Sequence, residues 1–319
     1  MENNIPISER WFAIVNPVAG MGLGLRDFPR ISKLLRDNNI TADPVFTEHK
    51  HHATALTVSA IQQGYRKIIV VGGDGTLHEV VNGLFIQKDV PSTEITLGVI
   101  SVGTGNDWIR MFGIPRRYSE AIRAIREGYT FMQDVGEVSY EEAKYRQTRY
   151  IANVAGGGLD AHTIKLYNHE KTKGRKGKSL YLSCLARAFF GYKSPGTKIW
   201  IDDELVYNDH LFSFAIGICK YNGGGIMQLP LAAADDGLFD ITLIRPVHWW
   251  HVIFRLKKLF NGKIYEIGHV LHLQGSRIRV ESSPETPVEV DGELLGHTPL
   301  DFNILHRAVK VIVNKDFLE

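Results

Sequence analysis

Along the first 135 residues, short apolar runs alternate with stretches in which apolar positions recur every three or four residues. WFAIVNP (11–17), ADPVFT (42–47), KIIVV (67–71) and ITLGVI (95–100) read as strands, apolar and β-branched as buried parallel strands are. Helical spacing falls between them near 26–37, 52–63 and 76–86, and in the last Leu77, Val80, Val81 and Leu84 stand at i, i+3, i+4 and i+7. This alternation predicts an α/β domain with a parallel sheet covered by helices. From about residue 136 the pattern changes to YIANVAGG, TKIWIDD, LFSFAIGIC, FDITLIRP, RIRVESS, TPVEVDGE and AVKVIVN, short strand-like runs separated by turns. They predict an antiparallel sandwich or barrel. Helical segments near 178–191 and 247–260 interrupt them.

In an open parallel sheet, ligands bind beyond the carboxyl ends of the strands. NPVAG (16–20), Thr47, GGDGT (72–76) and SVGTGND (101–107) all fall at such ends. In GGDGTLHEVVNGL (72–84), three glycines surround one aspartate and the chain turns directly into an amphipathic helix. Glycine permits positive φ and leaves no Cβ to keep a ligand off the backbone. A helix opening there offers N–H groups and partial positive charge to a phosphate. A lone Gly-x-Gly is commonly a structural turn, whereas four polar or glycine-rich strand ends together point to a site. The loop is not a dinucleotide fingerprint, because His78 stands where the third glycine is expected. Nor is GKS at 177–179 a P-loop, since Thr172 occupies the position of its glycine and no apolar strand precedes it.

Composition narrows the classes. With 319 residues, 44% apolar and 23% charged, the chain has the make-up of a soluble globular protein and the length of two domains. Thirty-seven basic against 35 acidic residues give a net charge of +2, too small to make nucleic acid the main partner. Cys184 and Cys219 lie among apolar residues and read as buried thiols. MENNIPISER lacks the pattern of a signal peptide, and LFSFAIGIC (211–219) falls short of the ~20 residues a membrane span needs. The expectation is a cytoplasmic protein that meets a membrane, if at all, from its surface.

Several features have an ordinary explanation. His49, His51 and His52 read as a solvated helix start, because adjacent residues do not present three ligands to one ion. Lys171, Lys173, Arg175, Lys176 and Lys178 read as a mobile charged loop, with contact to an anionic surface as the alternative. HWWHVIFRLKKLF (248–260) reads as a packed helix with a wet face; resting at a lipid interface is the alternative for its Trp249, Trp250, Ile253, Phe254, Arg255, Lys257 and Lys258.

NPVAG, GGDGTLHEVVNGL and GTGND (103–107), taken together, resemble the diacylglycerol kinase catalytic family, which includes bacterial soluble lipid kinases and the sphingosine and ceramide kinases. NVAGGGLDA (153–161), GGG followed by ADDGLFD (223–240), and VDGELLGHTP (290–299) extend the resemblance over nearly the whole chain, in order. It implies an NAD kinase/diacylglycerol kinase-like nucleotide-binding α/β domain over 8–135 and a β-sandwich lipid-substrate domain over 136–301, with 302–319 returning to the first domain.

Carried over by position, the resemblance implies an ATP site lined by Asn16, Pro17, Val18, Ala19, Gly20, Thr47, Gly72, Gly73, Asp74, Gly75, Thr76, Leu77, His78, Glu79, Gly103, Thr104, Asn106 and Asp107. Ala19 departs from the family's usual hydroxyl residue and His78 from its usual asparagine. Phosphoryl transfer also needs a metal to neutralise charge and an acceptor for a proton. Glu293, with Asp291 close behind, would be the general base; Asp74 would hold the catalytic Mg2+, or alternatively take the proton. Alone, VDGE is the ordinary mark of an Asp-Gly hairpin. Ala233 and Leu238 through carbonyls and Asp236 through its carboxylate would hold a structural Mg2+, and a simple turn is the alternative there. The implied activity is transfer of the γ-phosphate of ATP to a lipid hydroxyl, on a diacylglycerol or sphingoid-like acceptor at, or extracted from, a membrane surface. An NAD kinase-like enzyme and a nucleotide-binding regulatory protein without turnover are the rivals, and a homodimer is left open.

Overall fold

The computed structural model describes residues 5–319 except Thr104, Lys144, 174–177, 249–254 and Leu256. Its contacts divide the chain into two units, residues up to Val135 with His306–Glu319, and Gly136–Leu305.

The first unit contains β1 (Trp11–Val15), α1 (Ala19–Asp37), β2 (Ala42–Phe46), α2 (His52–Gln62), β3 (Lys67–Gly72), α3 (Asp74–Ile86), β4 (Thr96–Ser101), α4 (Asp107–Met111) and α5 (Tyr118–Glu127). The strands lie in the order β2-β1-β3-β4, all parallel, with Trp11 in register with both Ala42 and Lys67. Ala13, Val15, Ile69, Val71 and Ile100 pack with Ile31 and Leu35 of α1 and Ile122 and Ile125 of α5 in one core. Strands covered on both faces must be apolar at successive positions, and Ala13, Ile14 and Val15 are all fully buried. The apolar stripe Leu77, Val80, Val81 and Leu84 of α3 is buried as its spacing predicts.

The second unit contains β5 (Thr130–Glu142), which begins in the first, then β6 (Tyr145–Ile151), β7 (Val154–Gly158), α6 (Leu159–Thr172), α7 (Lys178–Gly191), β8 (Gly196–Ile201), β9 (Glu204–His210), β10 (Ser213–Gly217), β11 (Tyr221–Asn222), β12 (Ile226–Met227), β13 (Phe239–Ile244), β14 (Val270–Gly275), β15 (Arg277–Ser283), β16 (Pro287–Val290) and most of β17 (Glu293–Ile312). One sheet runs β14-β13-β10-β7-β16-β17, and β17 also pairs with β5 and β15, from which β6, β8 and β9 continue. The two layers meet where Phe239 of β13 packs edge-to-face on Phe302 of β17, 6.1 Å between centroids. Gly136 of β5 lies against the same ring, where a Cβ would stand 2.7 Å from Phe239. The parallel and sandwich architectures thus match the sequence pattern. The end of β17 pairs in parallel with β4 in the first unit, Lys310 opposite Thr96.

The structure differs from the pattern at several elements. α3 begins at Asp74, two residues before the expected start, and α6 is a third helix in the second unit. YIANVAGG is two strands, broken at Ala152 and Asn153. The runs after Gly292 form one strand, because Gly296 allows a close approach instead of a turn: a Cβ there would lie 1.9 Å from the Glu141 carbonyl. The basic run is not a single loop, since Lys171 lies in α6, Lys178 opens α7, and the Lys173 ammonium stands 3.3 Å from Glu170; Arg175 and Lys176 lie outside the described residues. Trp249, Trp250, Ile253 and Phe254 are outside them too, while Arg255 and residues 257–260 are helical. Among the described residues, no helix is long and apolar enough to cross a membrane.

β16 is central in its sheet, so Val288, Glu289 and Val290 are all buried. Glu289 is 1% exposed, and burial, reinforced by Asp160 and Asp291, pushes its carboxyl up to about 8. Above its ordinary pKa of 4.5 the unfolded chain loses this proton while the native protein keeps it, so unfolding free energy falls as pH rises from about 4.5 to about 8 and then levels. One retained proton tilts stability by at most ~1.4 kcal/mol per pH unit. Melting temperatures measured across this window should fall less steeply for Glu289→Gln than for the parent. Equal slopes would mean that Glu289 is ionised in the native protein.

Candidate active site

In the first unit the loops after β1, β3 and β4 are tied to one another. The Asn16 amide donates from Nδ2 to Thr76 Oγ1 at 3.0 Å, and its Oδ1 accepts the Val18 N–H at 3.1 Å. The Asn16 N–H bonds to Val71 O and the Val102 N–H to Gly72 O, so the loops continue the strand ladder. Gly20, Met21 and Gly22 have φ of 58°, 62° and 93°, making NPVAG the start of a left-handed turn. Gly24 closes it, where a Cβ would stand 1.9 Å from Asn16 O. Thr47 continues β2, its N–H bonding to Val15 O at 2.9 Å.

The glycines of GGDGT act differently from the expectation of positive φ, which none of the three adopts. Gly72 ends β3 with no room for a Cβ, which would meet Thr76 Oγ1 at 2.5 Å. Gly73 precedes the first turn of α3, and a Cβ there would have its nearest neighbour, Val102 O, at 3.8 Å. A Cβ at Gly73 would thus make only ordinary contacts, and the glycine bares backbone at a helix N-terminus, where an anion is favoured. Asp74 turns to the next loop. Its Oδ2 accepts the Asp107 N–H at 3.2 Å and its Oδ1 the Trp108 N–H at 3.3 Å, fastening the start of α4. Gly105 passes close by, a Cβ there lying 3.1 Å from Asp74 Oδ2. Trp108 is buried and donates to Gln133 at 3.0 Å, and the Asp107 carboxylate is buried 3.6 Å from Arg110. Asn106 donates to Gly103 O at 2.9 Å, but its buried Oδ1, 4.0 Å from where a Gly73 Cβ would stand, has no hydrogen-bond partner among the described residues. Thr104 lies outside the described residues.

Two predicted side chains are occupied in packing. Both Glu79 oxygens accept N–H groups at the start of α2, from His51 at 2.8 Å and Ala53 at 3.1 Å. His78 is buried beside the Asn82 amide. The histidine cluster is a helix start: His52 opens α2, and the His49 and His52 rings stack at 4.7 Å. Among the described residues, no group of three His, Cys, Asp or Glu could hold a metal ion.

In the second unit, Asp291 and Gly292 join β16 to β17 with φ of 50° and 86°, the two positive values of a tight hairpin. The turn does more than reverse the chain. Asp291 Oδ1 accepts the N–H groups of Asn153 at 2.9 Å and Val154 at 3.1 Å, and Oδ2 accepts that of Ala152 at 2.9 Å. Glu293, the first residue of β17, is half-buried. Beneath the turn, Glu289 Oε2 accepts the Gly292 N–H at 2.9 Å, and Oε1 lies 3.3 Å from Asn222 Nδ2. Gln228 links Asn222 to Asp160, whose carboxyl burial also raises, and Ser213 donates to Asp160 at 3.0 Å. Sequence reasoning missed Glu289, Asn222 and Gln228; the signal was a carboxyl within TPVEV, a run apolar enough for a central strand. In the 233–238 loop, Asp236 Oδ1 accepts the Leu238 N–H at 3.0 Å and Gly237 has φ of 78°. Ala233 is partly buried in the same loop.

Comparison with known proteins places these features in one lineage. A model of the diacylglycerol kinase catalytic domain matches residues 10–138, and one of the YegS C-terminal NAD kinase beta sandwich-like domain matches 153–313. A diacylglycerol kinase of Bacillus subtilis (strain 168) is 27% identical, over 96% of this chain and 97% of its own. One of Staphylococcus carnosus (strain TM300) is 26% identical over 95% and 94%. The fold is shared with a crystal structure described as a diacylglycerol kinase from Bacillus anthracis (TM-score 0.70, 23% identity, 97% and 98% covered). It is shared more distantly with yeast NADH kinase complexed with NADH (TM-score 0.54, 11% identity, 96% and 84% covered). With a catalytic-domain match at one end and a sandwich-domain match over half its length at the other, the chain belongs to the diacylglycerol kinase family of lipid kinases.

Proposed function

We propose that the protein is an ATP- and Mg2+-dependent kinase that transfers the γ-phosphate to a hydroxyl of a diacylglycerol or sphingoid-like lipid, taken at or from a membrane surface. The observation that carries this reading is the bare backbone at Gly73, opening α3 beside Asp74 with the orphaned Asn106 oxygen nearby. Backbone left uncovered at a helix N-terminus suits a phosphate, and a buried oxygen with no donor among the described residues suits a hydrated cation. Asn16 to Gly20, Thr47, Gly72 to Thr76, Gly103, Asn106 and Asp107 would form the cradle; His78 and Glu79 support it from behind.

Magnesium, when bound, would neutralise phosphate charge, with Asp74 holding it directly or through water. Asp236 with the Ala233 and Leu238 carbonyls offers hard oxygen donors for a second, structural ion. Of the candidate bases, Glu293 is supported best. The family resemblance puts the base in this turn, where Asp291 is buried and Glu293 half-buried at the hairpin end. The acceptor hydroxyl would give its proton to Glu293 as its oxygen bonds to the γ-phosphorus, and the bond from that phosphorus to the β–γ bridging oxygen would break, leaving ADP.

The deciding experiment is consumption of ATP with a mixed panel of dispersed lipids. Loss of NAD in their place would identify an NAD kinase-like enzyme, and nucleotide binding without turnover a regulatory protein. Glu293→Gln should bind ATP normally and lose ~10² or more in turnover, the scale of general-base loss. Asp291→Asn should also lose turnover, but with a lower melting temperature, because it disturbs charged hydrogen bonds to three backbone donors. A Glu293→Gln protein with near-normal turnover would return the hairpin to a purely structural role.

The glycines offer a second test. A Cβ at Gly73 meets only ordinary contacts, so Gly73→Val should fold, yet its branched side chain would occupy the phosphate space, weakening ATP binding by at least ~10-fold. Gly72→Ala should instead lower stability through its collision with Thr76. Unchanged ATP affinity in folded Gly73→Val would remove the phosphate cradle from this loop.

A further inference from the structure

We propose that Glu289 is a positioning residue for Glu293, fixing the tip of the Asp291–Gly292 hairpin from inside the sandwich. The inference rests on the reading of Glu293 as general base. Its geometric basis is the Glu289 Oε2 bond to the Gly292 N–H at 2.9 Å, made to the residue immediately before Glu293. The space for this carboxyl is specific: a Cβ on Gly156 of β7 would lie 2.8 Å from Glu289 Oε1, so a side chain there would displace it. From the other side Asn222 holds Oε1, and Gln228 carries the connection on to Asp160. The hairpin is thus held twice, by Asp291 reaching out to residues 152–154 and by Glu289 reaching back to Gly292.

The charge environment gives this role a signature. The acidic groups facing Glu289 are Asp160 at the start of α6 and Asp291 of its own hairpin. β7 presents glycine, the 221–228 hairpin presents the amides of Asn222 and Gln228, and β17 begins with Glu293. Burial foremost, with those two carboxylates, pushes the Glu289 carboxyl up to about 8. At neutral pH it carries its proton. Above about 8 it becomes a further negative charge beside Asp291, and repulsion between the two carboxylates then works against the turn, opposing the Gly292 N–H bond that favours the ionised form.

The test is kcat and KM for ATP as functions of pH, with detergent-dispersed dioleoylglycerol as acceptor and sphingosine as a second acceptor. For the parent, kcat should decline above pH 8, approaching about tenfold per pH unit for a single proton. Glu289→Gln, which mimics the protonated carboxyl, should keep most of the neutral turnover and lose this alkaline limb. Glu289→Leu should lower kcat by ~10², the scale of a displacement of about 1 Å in a reacting group, with KM for ATP unchanged. A limb in Glu289→Gln identical to the parent's overturns the proposal, as does a folded Glu289→Leu with parental kcat. If Glu289→Leu does not fold, the Glu289→Gln profile decides alone. Glu293→Gln in the same assay separates the two levels: high turnover sinks the base and with it the positioning role. An inactive Glu293→Gln beside an unaltered Glu289→Gln limb sinks the positioning role only.

Discussion

Three successive backbone N–H groups, those of Ala152, Asn153 and Val154, converge on the carboxylate of Asp291, and the second unit's polar chemistry is arranged around that convergence. Successive N–H groups in a strand point to opposite sides, so three can reach one carboxylate only where the strand breaks. That break is the gap between β6 and β7, and no neighbouring strand could satisfy the donors it turns inward. Removing the carboxylate would leave buried donors unpaired at ~1–3 kcal/mol each. The same residue must also adopt φ of 50°, a conformation aspartate tolerates better than most side chains. The bend and the first turn of the hairpin therefore depend on the Asp291 side chain.

Asp74 plays a comparable part in the first unit. Its two oxygens accept the first N–H groups of α4, which fixes the loop carrying Gly103 to Asn106 relative to the loop carrying Gly73. A carboxylate at a helix N-terminus is favoured by the helix dipole as well as by the hydrogen bonds. In both motifs the aspartate first organises backbone, and chemistry is supplied by what the organised backbone presents. In the proposed reaction, a glycine surface would serve the nucleotide and the next carboxylate along the chain the acceptor.

How much of this could be read from the residues depends on the range of the interaction. KIIVV and the Leu77, Val80, Val81, Leu84 stripe announce a buried strand and a packed helix because burial repeats along the chain. The four strand-end motifs were legible for the same reason, each being contiguous. The partners of Asp291 lie 137 to 139 residues away, and no local pattern announces such a pairing. Glu289 was hidden by the period-two rule: with Val288 and Val290 inward, alternation sends a glutamate outward, whereas a strand flanked by β7 and β17 has no outward face. α6 was obscured because LDAHTIKLYNHEKT is rich in polar residues, among them Glu170, buried beside Lys173 and Arg187. His78 and Glu79, which the family resemblance carries over to the nucleotide site, make contacts of their own in the structure, Glu79 with the start of α2 and His78 with Asn82, and no local pattern announces the first of these.

The sandwich also keeps acids where apolar residues would pack without electrostatic cost. Glu289, Asp160 and Asp240 all have carboxyls raised by burial, so each is less favourable near neutral pH than in water. Their partners explain their retention. Asp240 holds His272 at 2.7 Å and Gln274 at 3.3 Å on the neighbouring β14. Asp160 gathers Ser213 and Gln228, and Glu289 gathers Asn222 and the Gly292 N–H. An apolar residue at 289 would remove a buried acid but strand two donors beneath the hairpin, and a buried network with one member removed is worse than none. Gly156 reinforces the point, since a strand that gives up a side chain to make room for a carboxyl is built around that carboxyl. The second unit therefore gives up some electrostatic stability at neutral pH for a hairpin held rigidly from both sides.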